Sequence, residues 1–74
     1  MVAKPQIWIF TATHSKREAF VIVRSPYRKM AQRKVQIITD GQGLLNWTFY
    51  RVKSEEAEVL LGKYELNALY ERDV

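Results

Sequence analysis

The sequence predicts a small α+β fold, a single domain over residues 1–74 that is mainly an antiparallel sheet of about four strands with two helices. Three observations predict it. The chain has 74 residues, 47% of them hydrophobic, which suits one globular core. Short runs rich in β-branched and aromatic residues are typical of strands, and two Ser-led segments mark helix starts. The predicted order is β-β-α-β-β-α, with a fifth, C-terminal strand as an addition.

The first two strands are predicted from residues 6–13 (QIWIFTAT) and 19–24 (AFVIVR). The first run is apolar on both faces near its middle, which indicates a central strand covered on both sides. A helix starting at Ser15 is an alternative, because Ser15 and Glu18 match a capping box. Consecutive Val-Ile-Val residues favour the strand. If residues 15–33 were helical, the order would be β-α-β-β-α-β, a ferredoxin-like plan.

The first helix is predicted to start at Ser25-Pro26, with Ser as the N-cap and Pro in the first turn, and to run for about nine residues. Its apolar face follows from the helical spacing of Tyr27, Met30 and Ala31. The opposite face carries Arg28, Lys29, Gln32 and Arg33. Two bases in the first turn oppose the helix dipole at about 0.3–1 kcal/mol each. This cost indicates a role other than stability.

A third strand is predicted over residues 35–39 (VQIIT) and a fourth over residues 44–53 (LLNWTFYRVK). The Asp-Gly pair between them is a hairpin signal. In the fourth strand, Leu45, Trp47 and Phe49 form one apolar face, and the alternating residues form a more polar one.

The second helix is predicted to start at Ser54, with an acidic first turn that suits the dipole. Its apolar stripe consists of Ala57, Leu60, Leu61 and Tyr64. Gly62 leaves two interpretations of residues 63–72. The helix either continues, or it ends near Gly62 and an alternating strand pattern follows.

Charge is divided unevenly along the chain. Residues 1–39 hold eight of the twelve Lys/Arg and one acid, whereas residues 40–74 hold four bases and seven acids. Residues 24–34 contain five bases and no acid. A concentrated positive field attracts phosphates or an acidic protein surface.

Few residues suit catalysis. His14 is the single histidine and there is no cysteine, so a zinc site or an acid/base set cannot be assembled from the sequence. We therefore expect no enzyme activity, no cofactor and no metal. No run approaches the roughly 20 apolar residues of a membrane span, and no secretory signal is recognisable. A cytoplasmic protein without membrane contact is the expectation, in keeping with the absence of cysteine.

The basic cluster is the best indication of function. The leading hypothesis is a small, non-enzymatic basic module that binds nucleic acid, with phosphates on the cluster and Tyr27, Trp8 or Tyr50 stacking on a base. The alternative is a protein-interaction module, an inhibitor or adaptor of phage or mobile-element type. It would dock on an acidic partner through the basic face and an apolar patch, or form a homodimer. The candidate contact residues are Lys16, Arg17, Arg24, Tyr27, Arg28, Lys29, Arg33 and Lys34.

Overall fold

The computed structural model describes residues 4–14 and 16–73, and in them the chain forms four strands and two helices. The order is β-β-α-β-α-β. The elements are β1 (Gln6–His14), β2 (Arg17–Ser25), α1 (Arg28–Thr39), β3 (Leu45–Val52), α2 (Ser54–Lys63) and β4 (Leu69–Asp73). The predicted α+β class, with an antiparallel sheet of four strands and two helices, is confirmed.

The sheet has the strand order β3-β1-β2-β4, and every neighbouring pair is antiparallel. The β1–β2 hairpin pairs from Gln6 opposite Ser25 to His14 opposite Arg17. This hairpin forms the centre of the sheet, and β3 and β4 form its edges. The central position of β1 agrees with the apolar character of both its faces.

The two helices cover opposite faces of the sheet. Alternation along β1 shows the division, because Trp8 and Phe10 belong to the core cluster under α1 and Ile9 belongs to the cluster under α2. Ala31 and Val35 complete the first cluster from α1. The second cluster receives Ala57, Leu60, Leu61 and Tyr64. The predicted apolar stripe of the second helix is therefore confirmed.

The predicted third strand over residues 35–39 is wrong, because α1 continues through these residues to Thr39. Val35 is 3% exposed, Ile38 packs against the same cluster, and Ile37 is 74% exposed. This pattern of burial fits a helix. In a strand, Val35 and Ile37 would lie on the same face and would be buried or exposed together. Packing on the sheet overrides the β propensity of these residues. The turn around Gly41 (φ 76°) consequently connects a helix to a strand and is not a hairpin.

The start of α1 also differs from the prediction. Ser25 is the buried last residue of β2, and Tyr27 is the N-cap. The Ser25 hydroxyl donates to the Tyr27 carbonyl at 3.1 Å, and the indole Nε1 of Trp8 donates to the Ser25 carbonyl at 3.0 Å. Because the helix starts later and extends further than predicted, its buried stripe begins at Ala31, and Tyr27 and Met30 are half-exposed.

At the C-terminal end, α2 runs through Gly62 to Lys63, and β4 starts at Leu69. Of the two interpretations of residues 63–72, the one in which the helix ends near Gly62 and a strand follows is therefore confirmed. The strand itself begins only at Leu69. The ring of Tyr70 stacks on Phe20 in β2 at 5.4 Å between centroids, which fixes β4 to the centre of the sheet.

The ferredoxin-like alternative is wrong, because β2 occupies residues 17–25 where that plan needs a helix. Three consecutive β-branched residues in β2 are buried in the centre of the sheet, on alternating faces. Ser15, the proposed cap of that helix, lies outside the described residues.

Candidate functional site

The bases of α1 project in three directions from one helix. Lys29 and Arg33 lie one turn apart on its outer surface and are exposed. Arg28 lies on the flank towards β3, with its guanidinium carbon 5.3 Å from the centre of the Phe49 ring. Lys34 lies on the flank towards β2, where its Nζ donates to the carbonyl of Arg24 at 2.8 Å. We call the exposed surface formed by these four residues the α1 basic face.

No carboxylate neutralises the α1 basic face within the described residues. The helix contains no acid, and the ion pairs in the described part of the chain belong to Arg17 and Arg72. No neighbouring carboxylate in residues 4–14 and 16–73 therefore offsets the positive charge of these exposed bases, and they add to the local field.

Lys16 and Arg17 lie away from this face, although the sequence groups them with it. They occupy the turn and first residue at the far end of β2, about 23 Å along the strand from Arg24 at roughly 3.3 Å per residue. Arg17 is also paired, at 3.0 Å to Glu71 and 3.6 Å to Asp73. The structure thus places two of the eight predicted residues in a separate, charge-compensated region.

Arg24 and Tyr27 have intermediate positions. Arg24 pairs with Ile7 and alternates with Val23, so its side chain lies on the face of the sheet that α2 covers. Tyr27 precedes Arg28 directly and is half-exposed at the beginning of α1. Tyr27 therefore adjoins the α1 basic face, whereas Arg24 contacts that face through its backbone carbonyl and carries its charge on the other face of the sheet.

Of the three aromatic residues predicted to stack on a base, Trp8 is unsuitable because it is buried and its ring stacks on Phe49 at 5.4 Å. Tyr50 is half-exposed, on the α2 side of the sheet. Trp47 lies on the face of β3 that the sequence predicts to be apolar, yet it is 57% exposed. Its exposure follows from the edge position of β3, and no sequence signal gives that position.

Two grooves flank β3, one on each face of the sheet. The α1 groove, between α1 and β3, has a volume of about 280 Å³ and uncharged walls that include Phe10, Trp47 and Gln36. The α2 groove, between α2 and β3, has a volume of about 440 Å³ and includes Glu55 and Glu56. The two grooves thus differ in charge, because the α2 groove has carboxylates in its wall and the α1 groove has an uncharged wall beside the α1 basic face.

The described residues contain no cluster of metal-ligand side chains and no helix that could span a membrane. Their His, Asp and Glu side chains form no group of three that could hold a metal ion. Neither described helix is long and apolar enough to cross a membrane. The backbone of His14 ends β1 opposite Arg17.

Comparisons with protein-family models, with curated proteins and with solved structures found no match to this chain.

Proposed function

We propose that this protein is a non-enzymatic nucleic-acid-binding module and that the α1 basic face is its contact surface. The observation that carries the proposal is the set of four exposed bases on a helix without a carboxylate. Lys29 and Arg33 contact successive phosphates from the outer surface, and Arg28 and Lys34 contact them from the two flanks. Contacts of this kind position a protein on nucleic acid without reading its sequence.

Helix energetics support the same surface. Arg28 and Lys29 occupy the first turn of α1, which contains no acid, and there they oppose the helix dipole. The N-cap residue Tyr27 makes no side-chain capping bond that would offset this cost. A helix end that is both uncapped and basic is suited to meeting an external anion, whose charge offsets the unfavourable local field.

The proposal is tested by measuring oligonucleotide binding by fluorescence anisotropy over a range of salt concentrations. With four phosphate contacts, the slope of log K against log salt should be about −3. The double variant Lys29→Gln/Arg33→Gln should lose roughly half of that slope and bind more weakly at low salt. The matched control Lys53→Gln/Lys63→Gln removes the same charge beside and at the end of α2 and should bind as the wild type does.

Two outcomes would contradict the proposal. One is the absence of salt-sensitive binding to DNA and RNA at roughly tens of micromolar protein, where non-specific binders are half-saturated. The other is equal weakening by both double variants, which would show a general effect of net charge and not a contact surface on α1.

A second candidate function is protein interaction through β3. This strand is an edge of the sheet, and Leu45, Trp47 and Tyr50 are exposed along it. An apolar edge strand can pair with a strand of a partner protein or of a second copy, and the neighbouring α1 basic face would favour an acidic partner. Capture of one stoichiometric protein, insensitive to nuclease, or a concentration-dependent dimer in sedimentation would support this function over the first.

A further inference from the structure

The α1 groove has the composition of a site for a flat aromatic ligand. Phe10, Val35 and Phe49 supply apolar surface, and Trp47 forms the outer wall. The Trp47 ring stacks on Phe10 with centroids 6.2 Å apart and planes at 28°. Because more than half of Trp47 is exposed, a second ring system can reach it from the solvent side.

The polar side chains that line the same groove are two amides and the hydroxyl of Thr39, and none of them is charged. Gln32 and Gln36 lie one turn apart on α1 and line the wall opposite Trp47. Each amide has a donor and an acceptor group, the combination that reads the edge of a nucleobase. Arg28 lies in the same row of α1, one turn before Gln32, and covers the Phe49 ring. One row of α1 therefore carries a cation at Arg28 and amides at Gln32 and Gln36, and it faces the stacking surface that β1 and β3 supply.

The charges around the α1 groove favour a ligand that carries phosphates. Lys29 and Arg33 lie on the outer surface of the helix that forms the wall, where they can hold the phosphates on either side of an inserted base. The α2 groove also has an exposed aromatic, Tyr50, but its Glu55 and Glu56 repel phosphate. Of the two grooves beside β3, the α1 groove is thus the one complementary to an aromatic anion.

We infer that the α1 groove binds an unpaired nucleobase, stacked on Trp47, and that the protein prefers single-stranded nucleic acid to duplex. The inference rests on the proposed function and adds the ligand class. In a duplex the bases are stacked and paired, and a base must leave the helix before it can enter a groove of this kind. A single strand supplies unstacked bases directly, and stacking on an exposed aromatic is tolerant of base identity.

The test compares a labelled single strand of about twelve nucleotides, close to the site size of one small domain, with a duplex of equal length. Trp47→Ala should weaken single-strand binding by about 5- to 150-fold and leave duplex binding unchanged. The matched control is Tyr50→Ala, which removes a similarly exposed aromatic from the other face of the same strand and should change neither. Circular dichroism checks that each variant is folded.

A second variant keeps the test independent of packing at Trp47. Gln36→Glu is nearly isosteric and places a carboxylate on the groove wall, so single-strand binding should fall more than duplex binding. Wild-type tryptophan fluorescence should be quenched by the single strand, and Trp47→Phe, which retains the buried Trp8, should lose that quenching.

The outcomes separate this inference from the proposed function. Equal, salt-sensitive binding of both nucleic acids, unaffected by Trp47→Ala, overturns the inference and preserves the function of the α1 basic face. Absence of salt-sensitive binding to either one overturns both. Loss of self-association in Trp47→Ala without a change in oligonucleotide binding assigns the groove to a second copy of the chain and overturns the inference.

Discussion

The two helices lie on opposite faces of one sheet and differ in how their charges relate to their own stability. Helix α2 has Glu55 and Glu56 in its first turn and Lys63 in its last, the arrangement that the helix dipole favours. Helix α1 has Arg28 and Lys29 in its first turn and no base in its last. Local physics therefore explains the charges of α2 and not those of α1, which points to a contact outside the chain.

The same contrast extends to β3, whose two sides border different grooves. The side towards α1 has a neutral lining beside four bases, and the side towards α2 has two carboxylates. Both grooves have an exposed aromatic residue, Trp47 or Tyr50. Charge, and not the presence of an aromatic residue, distinguishes the proposed nucleic-acid face from the other.

The largest effect is expected from removing the anchor that holds α1 on the sheet. Val35→Asn should lower the free energy of unfolding by about 3 kcal/mol or more, because it loses apolar burial and buries an amide. Ile37→Asn, at a position 74% exposed, should change it by less than about 0.5 kcal/mol. Urea titration measures both. Equal losses of stability in the two variants would indicate that Val35 and Ile37 are equally buried, as on one face of a strand. That result would contradict the packing of α1 on the sheet.

An intermediate effect is expected from exchanging charge at the two helix starts. Lys29→Glu should raise the free energy of unfolding by about 0.5–1 kcal/mol, because an acid in the first turn interacts favourably with the helix dipole. The same change should weaken oligonucleotide binding, because a phosphate contact is lost. Glu55→Lys should lower stability by a similar amount without weakening binding. Thermal melts and anisotropy measure the pair. If stability and affinity rose together or fell together in both variants, the proposed difference between the two helix starts would be contradicted.

The smallest effect is expected from bases that already have partners. Arg17→Gln removes a guanidinium paired with Glu71, and Arg33→Gln removes one without an acidic partner in the described residues. Arg33→Gln should reduce the salt slope by about 0.7–0.9, and Arg17→Gln by much less. The stability change of Arg17→Gln should be within about 1 kcal/mol. If Arg17→Gln weakened binding more than Arg33→Gln, the contact surface would have to lie near β4 and not on α1.

Local patterns gave the fold class and the central strands. The run of residues 6–13, apolar on both faces, predicted a covered central strand, and β1 has this position. The spacing of Ala57, Leu60 and Leu61 predicted the buried side of α2. These elements were predictable because burial, periodicity and propensity agree in them.

The strand predicted over residues 35–39 was wrong because tertiary packing outweighed propensity. Val35 and Ile38 reach the sheet only from a helix, and this contact stabilises a conformation that β-branched residues disfavour locally. The exposure of Trp47 and the pairing of Arg17 depend on strand order, which places β3 at one edge and β4 beside β2. Strand order is a non-local property, so the pairing of Arg17 with Glu71 and Asp73 could not be inferred from local sequence patterns.

The most direct test of the central claim is an amide chemical-shift titration of the isotope-labelled protein with a short single-stranded oligonucleotide. We expect the largest shifts in Arg28–Gln36 of α1, and at the Trp47 indole but not the Trp8 indole, which is buried and bonded to Ser25. Shifts concentrated in α2 and at Tyr50, or no shifts at saturating oligonucleotide, would contradict the assignment of nucleic-acid binding to the α1 face.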